Sequence, residues 1–131
     1  MRKLRRLPFP LAALALLLPA LSWAGPILPY SAERFDVLTG AGKPVVVAVH
    51  ASWCPICKAQ QPIQSELMRS DPFKNYTMLV VDFDTDHDAL QRFHVVKQST
   101  MIVFKGKTEV GRSIGDTQPE SMKALMLKAS T

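Results

Sequence analysis

Cysteine is scarce in this sequence, whose 131 residues contain two, Cys54 and Cys57. A disulfide within the chain must join these two residues and close a very small loop, which in the chain-entropy model gives the least stabilisation. A zinc site needs about four ligands, which two cysteines supply only with help from histidines, and a c-type haem would need histidine where Lys58 stands. The scarcity argues against a disulfide scaffold and favours a cysteine pair used in redox chemistry.

Beyond its first six residues, the chain also lacks a clear excess of positive or negative charge. The formal net charge is +5, but four of the 16 basic residues lie in the first six positions, which leaves 12 against 11 acidic residues. A nearly neutral remainder does not favour nucleic acid or an anionic membrane surface as a partner. We therefore expect no nucleic-acid partner.

The sequence lacks an apolar run long enough for a typical membrane-spanning helix. Its N-terminal run, residues 7–21, covers about 15 positions interrupted by prolines, whereas a spanning helix needs ~20. The run follows a basic start and precedes Ser22-Trp23-Ala24, which places small residues at the cleavage positions. We predict a secretory signal peptide at residues 1–24, one domain at 25–131, and a location in the periplasm or outside the cell. The alternative is a signal retained as a membrane anchor.

Both cysteines lie where an apolar strand meets a helix. Residues 44–49 are almost wholly apolar, as in a strand buried on both faces. The segment 50–58 follows, with the sequence His-Ala-Ser-Trp-Cys-Pro-Ile-Cys-Lys. Pro55 suits the first helical position because its missing N–H would have no partner there. The apolar spacing after it predicts a helix to about Arg69 with one inward face, formed by Ile56, Ala59, Ile63 and Leu67.

The helix start determines the expected chemistry of the pair. Free N–H groups at a helix N-terminus stabilise a thiolate, and the thiolate is the nucleophile. Cys54 lies nearer that end, so we expect it to be the accessible attacking thiol. Cys57, one turn further, is expected to be more buried and to resolve the mixed disulfide. Lys58 adds a positive charge nearby.

The segment from Trp53 to Lys58 resembles the active site of thioredoxins, Trp-Cys-x-x-Cys-Lys. Pro62 also stands five residues after Cys57, where thioredoxins carry a proline that bends this helix. The resemblance implies a thiol–disulfide oxidoreductase that exchanges disulfides with protein disulfides or dithiols. It implies no organic cofactor and no metal, and we expect a monomer. As an exported reductant, the protein would need an electron donor such as a membrane thiol relay.

The order of predicted elements is similar to the thioredoxin fold. We predict the α/β class, with a central mixed sheet, a βαβ unit, a C-terminal ββα unit and helices on both faces. Residues 25–29 form an extended entry that can dock as a short edge strand, and a helix capped by Ser31 follows. Further strands are predicted near 77–83, 100–104 and 108–112. The last helix is expected to begin with a capping box at 117–120 and to bury Met122, Leu125, Met126 and Ala129.

Four acidic residues alternate after the second predicted strand, at positions 82, 84, 86 and 88. An EF-hand calcium loop would need glycine and glutamate where His87 and Phe93 stand. We therefore interpret the aspartates as a strand end followed by the N-terminal cap of a short helix at 86–93.

Two positions depart from the thioredoxin pattern. Thioredoxins bury an aspartate six residues before the first cysteine, where this chain has Ala48, so proton transfer at Cys57 must use another group or water. Ser99 takes the place of the cis-proline that faces the cysteines. Because a cis bond before a non-proline residue costs ~2.5–4 kcal/mol, we expect a trans Gln98–Ser99 bond and a narrow choice of partner. A proline at 99 would then broaden the activity.

The remaining candidate residues leave alternatives open. A protonated His50 can stabilise a thiolate, but it can equally be a loop residue without a role. Trp53 is expected to shield Cys54 and to offer an apolar surface to partners. Two other functional classes are a copper-handling protein, which would bind Cu(I) through the thiolates with His50 nearby, and a binding module without turnover.

The first prediction concerns the signal peptide. The exported protein should begin near Gly25, because cleavage after Ala24 follows the small-residue rule. Intact mass or N-terminal sequencing of exported material would measure this. A membrane-bound chain that still carries residues 1–24 would contradict it.

Overall fold

The computed structural model describes residues 24–130, so all but the last residue of the predicted signal peptide lies outside the described range. Its strands are β1 (Ile27–Pro29), β2 (Pro44–His50), β3 (Thr77–Asp82), β4 (Thr100–Lys105) and β5 (Thr108–Ile114). Its helices are α1 (Ala32–Gly40), α2 (Pro55–Arg69), α3 (His87–Arg92) and α4 (Pro119–Leu127), with a 3-10 turn at Asp71–Phe73. Within this range no helix is both long enough and apolar enough to cross a membrane.

The strands form one mixed sheet in the order β1-β3-β2-β4-β5. β1 and β2 run parallel to β3, whereas β4 is antiparallel to β2 and β5 is antiparallel to β4. The central strand β2 is paired on both edges, with Val47 opposite Leu79 on one side and Ile102 on the other. The predicted α/β class is confirmed, with its βαβ unit, its closing ββα unit and the short edge strand β1.

Two apolar clusters cover the two faces of the sheet, which explains why β2 shows no polar alternation. On one face Val46 and Ala48 pack in a cluster with residues of α2 and α4, among them Met68 and Met122. On the other face the odd-numbered valines of β2 pack with residues of α1 and the α3 region, including Phe35. The inward face predicted for the last helix is confirmed, because all four of its residues are buried.

The predicted helix caps have mixed outcomes. The Ser31 side chain accepts a hydrogen bond from the Arg34 N–H (3.1 Å) and caps α1 as predicted. The capping box at 117–120 is wrong, because α4 starts after Gln118 without a side-chain cap. Asp116 takes that role instead: its carboxylate accepts from the Gln118 N–H (2.9 Å) and the Ser121 hydroxyl (2.6 Å).

The inward face of α2 differs from the predicted apolar stripe by one position. Its buried residues are Cys57, Gln60, Gln64 and Met68. Of the predicted face, Ile63 and Leu67 are partly buried against the core, whereas Ile56 is 45% exposed. The cause is polar contact, because the Gln60 amide donates to the carbonyl oxygens of Ser99 (3.2 Å) and Asp116 (2.9 Å). This rotation turns Cys57 into the interior.

Candidate active site

The central strand ends at His50, and four residues later Cys54 becomes the N-cap of α2. The Cys54 Sγ accepts a hydrogen bond from the Cys57 N–H at 3.1 Å, as an N-cap side chain does. Pro55 occupies the first helical turn as predicted. The sulfur of Cys54 therefore lies at the positive end of the helix dipole, where negative charge is stabilised.

Solvent exposure does not distinguish the thiols of Cys54 and Cys57. Cys54 is 1% exposed and Cys57 is 2% exposed, so the expectation of an accessible Cys54 beside a more buried Cys57 is wrong. Both are free thiols that pack with Ala51 and the half-buried Phe83. The turn from His50 into α2 folds both sulfurs against the sheet, which sequence spacing does not reveal.

The electrostatic environment of Cys57 favours the protonated thiol. Burial and then the contact with Cys54 raise the pKa of the Cys57 thiol, while backbone N–H groups of Ala51 and Ser99 oppose this more weakly. The Cys57 Sγ also lies 3.9 Å from the Val49 carbonyl oxygen, within reach of a weak S–H donor. Cys57 therefore keeps its proton at neutral pH, and Cys54 carries the helix-stabilised position.

The two basic candidates have different surroundings. Lys58 is exposed on α2, and its backbone N–H donates to the Cys54 carbonyl oxygen (3.2 Å). His50 is partly exposed, with its Nδ1 3.4 Å from the Gln61 Nε2. His50 lines one pocket together with Cys57, and Cys54 is not among that pocket's residues. The geometry thus associates His50 with the resolving thiol rather than with the attacking one.

Trp53 is the exposed rim of the site, with 55% of its surface accessible. Its indole Nε1 donates to the Asp84 Oδ2 (2.9 Å), and its ring packs edge-on against Phe83 with centroids 6.5 Å apart. Sequence reasoning missed Asp84 as the residue that holds this indole. The alternating aspartates were the available signal.

Those aspartates stabilise a loop rather than cap a helix. The Asp86 side chain makes no cap bond to α3, so the predicted capping is wrong. Its Oδ2 accepts instead from the Asp82 N–H (2.8 Å), and the Asp82 Oδ1 accepts from the N–H groups of Asp84 (2.8 Å) and Thr85 (3.2 Å). Among the residues of the 24–130 range, no group of three or more His, Cys, Asp or Glu side chains is arranged to hold a metal ion.

The predicted trans bond between Gln98 and Ser99 is confirmed, because residues 24–130 contain no cis peptide. Ser99 is buried and adopts a left-handed conformation with φ +59°. Its N–H donates to the Val49 carbonyl oxygen (2.9 Å), and its own carbonyl accepts from the Gln60 amide (3.2 Å) and the Gly115 N–H (3.0 Å). The backbone of Ser99 is therefore fully engaged inside the molecule.

This geometry shows that a proline at 99 does not fit the loop, whereas its effect on activity stays a prediction. Proline fixes φ near −65° and has no N–H, whereas Ser99 has a positive φ and donates to Val49. Proline at this position is incompatible with the loop as it stands.

Taken together, the site holds a thiol at a helix N-terminus and a protonated thiol one turn behind it. Such a pair supports thiol–disulfide exchange, because the first sulfur attacks a disulfide and the second displaces the resulting mixed disulfide. The fold and the site therefore define the class of thiol–disulfide oxidoreductases.

Comparison with known proteins agrees with this class. The family model for thioredoxin matches residues 27–128. A thioredoxin from Mycobacterium tuberculosis is 35% identical over 80 residues, which cover 61% of this chain and 67% of that protein. The chain is also 38% identical over 80 residues to a bifunctional thioredoxin reductase/thioredoxin from Mycobacterium leprae, but the match spans 61% of this chain and 17% of that protein's length.

The structural comparison gives the same result. The crystal structure of Trxlp from Edwardsiella tarda is similar with a TM-score of 0.75 and 38% identity, covering 76% of this chain and 97% of that one. A mutant thioredoxin from Halobacterium salinarum shares the fold, with a TM-score of 0.73 at 18% identity over 84% of this chain and 95% of that one. The chain belongs to the thioredoxin family.

The order of attack can be tested by trapping. Cys57→Ser should accumulate mixed disulfides with partners, because Cys54 still attacks and the resolving thiol is gone. Cys54→Ser should accumulate few, because the remaining thiol is protonated and lacks the helix-end position. Non-reducing gels followed by mass spectrometry would measure the trapped species. Equal trapping by the two variants would contradict the assignment.

The Ser99 loop gives a stability prediction. Ser99→Pro should lower the free energy of unfolding by more than about 1 kcal/mol, because it forces a different φ and removes the bond to Val49. Ser99→Gly is the matched control, since glycine accepts positive φ and keeps the N–H. Urea unfolding would compare the two variants. A Ser99→Pro variant as stable as Ser99→Gly would show that the described loop does not constrain the chain.

Proposed function

We propose that this protein is an exported thiol–disulfide oxidoreductase that acts as a partner-specific reductant or relay through Cys54 and Cys57. The observation that carries the specificity is the internal bonding of Ser99. In thioredoxins the corresponding loop presents backbone groups that pair with the substrate chain as an added strand. Here both backbone groups of Ser99 already have partners within the molecule.

The neighbouring groups of this loop support the same proposal. The Ser99 hydroxyl donates to the Gln98 carbonyl oxygen, so that acceptor is also occupied. An incoming extended chain would have to displace these bonds or use other contacts. Trp53 and Ile56 remain exposed beside the cysteines, and they offer apolar surface to a partner whose shape fits. Generic disulfide substrates lack that fit.

Each turnover reduces one partner disulfide. The Cys54 thiolate attacks a partner sulfur, the partner disulfide breaks, and one partner thiolate leaves and takes up a proton. Cys57 then loses its proton and attacks the Cys54 sulfur, which releases the second partner thiol. The two cysteines end as a disulfide, and the partner gains two electrons.

The N-terminal sequence supports the proposed export, and an exported reductant needs a supply of electrons. The basic and apolar segment at 1–24 is typical of a secretory signal. A bacterial periplasm is kept oxidising, so a reductant working there must be reduced again by a dithiol supplied across the membrane. A membrane thiol relay is the kind of donor that we propose.

The reductant role can be tested with a generic and a trapped substrate. The native protein should reduce insulin slowly compared with a reference thioredoxin, because the Ser99 backbone does not receive an added strand. The same protein should exchange disulfides rapidly with the partner captured by Cys57→Ser. Insulin turbidity and partner thiol release would measure the two rates, with Cys54→Ser as the inactive control.

Two results would contradict the proposal. Insulin reduction at thioredoxin-like rates would remove the partner specificity. Tight Cu(I) binding by Cys54 and Cys57, without exchange of any disulfide, would favour the metal-handling class instead.

A further inference from the structure

A pocket with both polar and apolar lining lies beside the resolving cysteine, between the sheet and α2. Its volume is about 260 Å³, and its lining includes Cys57, His50 and three glutamines of α2 at positions 60, 61 and 64. A water molecule needs roughly 10–15 Å³ and a few polar partners. Gln64 is 7% exposed, and no hydrogen bond joins its amide to another residue of the described range. The amide atoms keep some solvent contact, so water in this pocket can hydrogen-bond to them.

Two of the described residues that line this pocket can titrate, Cys57 and His50. Ala48 lines it as well, at the position where thioredoxins carry a buried aspartate. The methyl group of Ala48 can neither accept nor donate a proton. The pocket therefore joins a thiol that must lose its proton to a single imidazole.

Cys57 needs such a proton acceptor. Its burial and its contact with Cys54 raise the pKa of its thiol, yet the thiolate is the form that attacks the mixed disulfide. Without a proton acceptor, the attack of Cys57 on the mixed disulfide would be slow, because little of the Cys57 thiolate would be present.

We propose that His50 accepts the Cys57 proton through water in this pocket, in place of the carboxylate that Ala48 lacks. The inference rests on the proposed exchange function. It assigns His50 a role as a proton relay that acts on Cys57 through water and does not touch the sulfur. In the step, the Cys57 S–H bond breaks and the proton passes to a His50 ring nitrogen. The Cys57 thiolate forms the bond to Cys54, and the departing partner thiolate takes up a proton.

Two carboxylates and one amide lie near His50. Asp82 is its register partner on β3, and Asp82 and Asp86 line a depression with His50 on its other side. The α2 residue within 3.5 Å of the ring is the uncharged Gln61.

The test separates the two halves of the exchange. Reduced protein is mixed with one equivalent of an aromatic disulfide that releases a coloured thiolate at each step. The first release reports attack by Cys54, and the second reports attack by Cys57. Stopped-flow traces recorded from about pH 5 to 9 cover the range in which histidine changes charge.

We expect His50→Gln to leave the first release within about twofold and to slow the second roughly tenfold or more at neutral pH. Its second release should rise only at the higher pH where the Cys57 thiol itself ionises. In the native protein the rise should come earlier, as the imidazole loses its proton. His87→Gln, which changes an exposed histidine on α3, is the matched control and should behave like the native protein.

A rescue pair distinguishes proton transfer from a structural effect. In the His50→Gln background, Ala48→Asp should restore the second release, and Ala48→Asn, of the same size, should not. An unchanged second release and pH profile in His50→Gln would overturn the inference. So would equal slowing of both releases, or equal rescue by Asp and Asn.

Two further controls keep the outcomes separate. A native protein that gives no first release would overturn the exchange function itself, and this inference with it. Circular dichroism checks that each variant folds. If the Ala48→Asp variant is unfolded, the pH profile of His50→Gln decides alone, because a structural change would not shift that profile towards the titration of Cys57.

Discussion

The burial of β2 on both faces is the constraint on which the rest of the molecule depends. The strand pairs with β3 on one edge and β4 on the other, and helices cover both of its surfaces. Its polar backbone groups are satisfied only if the neighbouring strands keep their register. The end of β2 is therefore a fixed point, and the turn from His50 to Cys54 places the N-terminus of α2 there. The cysteine pair lies at the start of α2 because of that placement.

Local sequence signals predicted the parts of the site that depend on neighbours along the chain. Cys54, Pro55 and Cys57 mark the strand-to-helix junction because a helix start has a residue pattern of its own. The strands β2, β3 and β4 could be predicted since their apolar runs are short and clearly bounded. The trans bond before Ser99 follows from the covalent cost of the alternative. None of these inferences needed knowledge of tertiary contacts.

Tertiary contacts decided the rest. Gln60 is polar, so the apolar pattern of α2 predicts that it faces solvent. Its amide instead donates to the carbonyl oxygens of Ser99 and Asp116. Those carbonyls come from segments 39 and 56 residues further along the chain. The same holds for the burial of Cys54 and for the contact of Trp53 with Asp84, 31 residues apart. The spacing of residues along the chain does not predict a contact with a partner so far away in the sequence.

Ser99 and the resolving cysteine meet at one atom. The Val49 carbonyl oxygen accepts the Ser99 N–H at 2.9 Å and lies 3.9 Å from the Cys57 Sγ. A proline at 99 would supply no N–H, so this contact exists because serine replaces it. The positive φ of Ser99 costs of order 1–3 kcal/mol, which the bonds of its N–H, carbonyl and hydroxyl offset. The loop is thus held in place by the donors and the acceptor of Ser99 itself. Because these groups are already bonded within the molecule, the Ser99 backbone is not free to pair with a substrate chain.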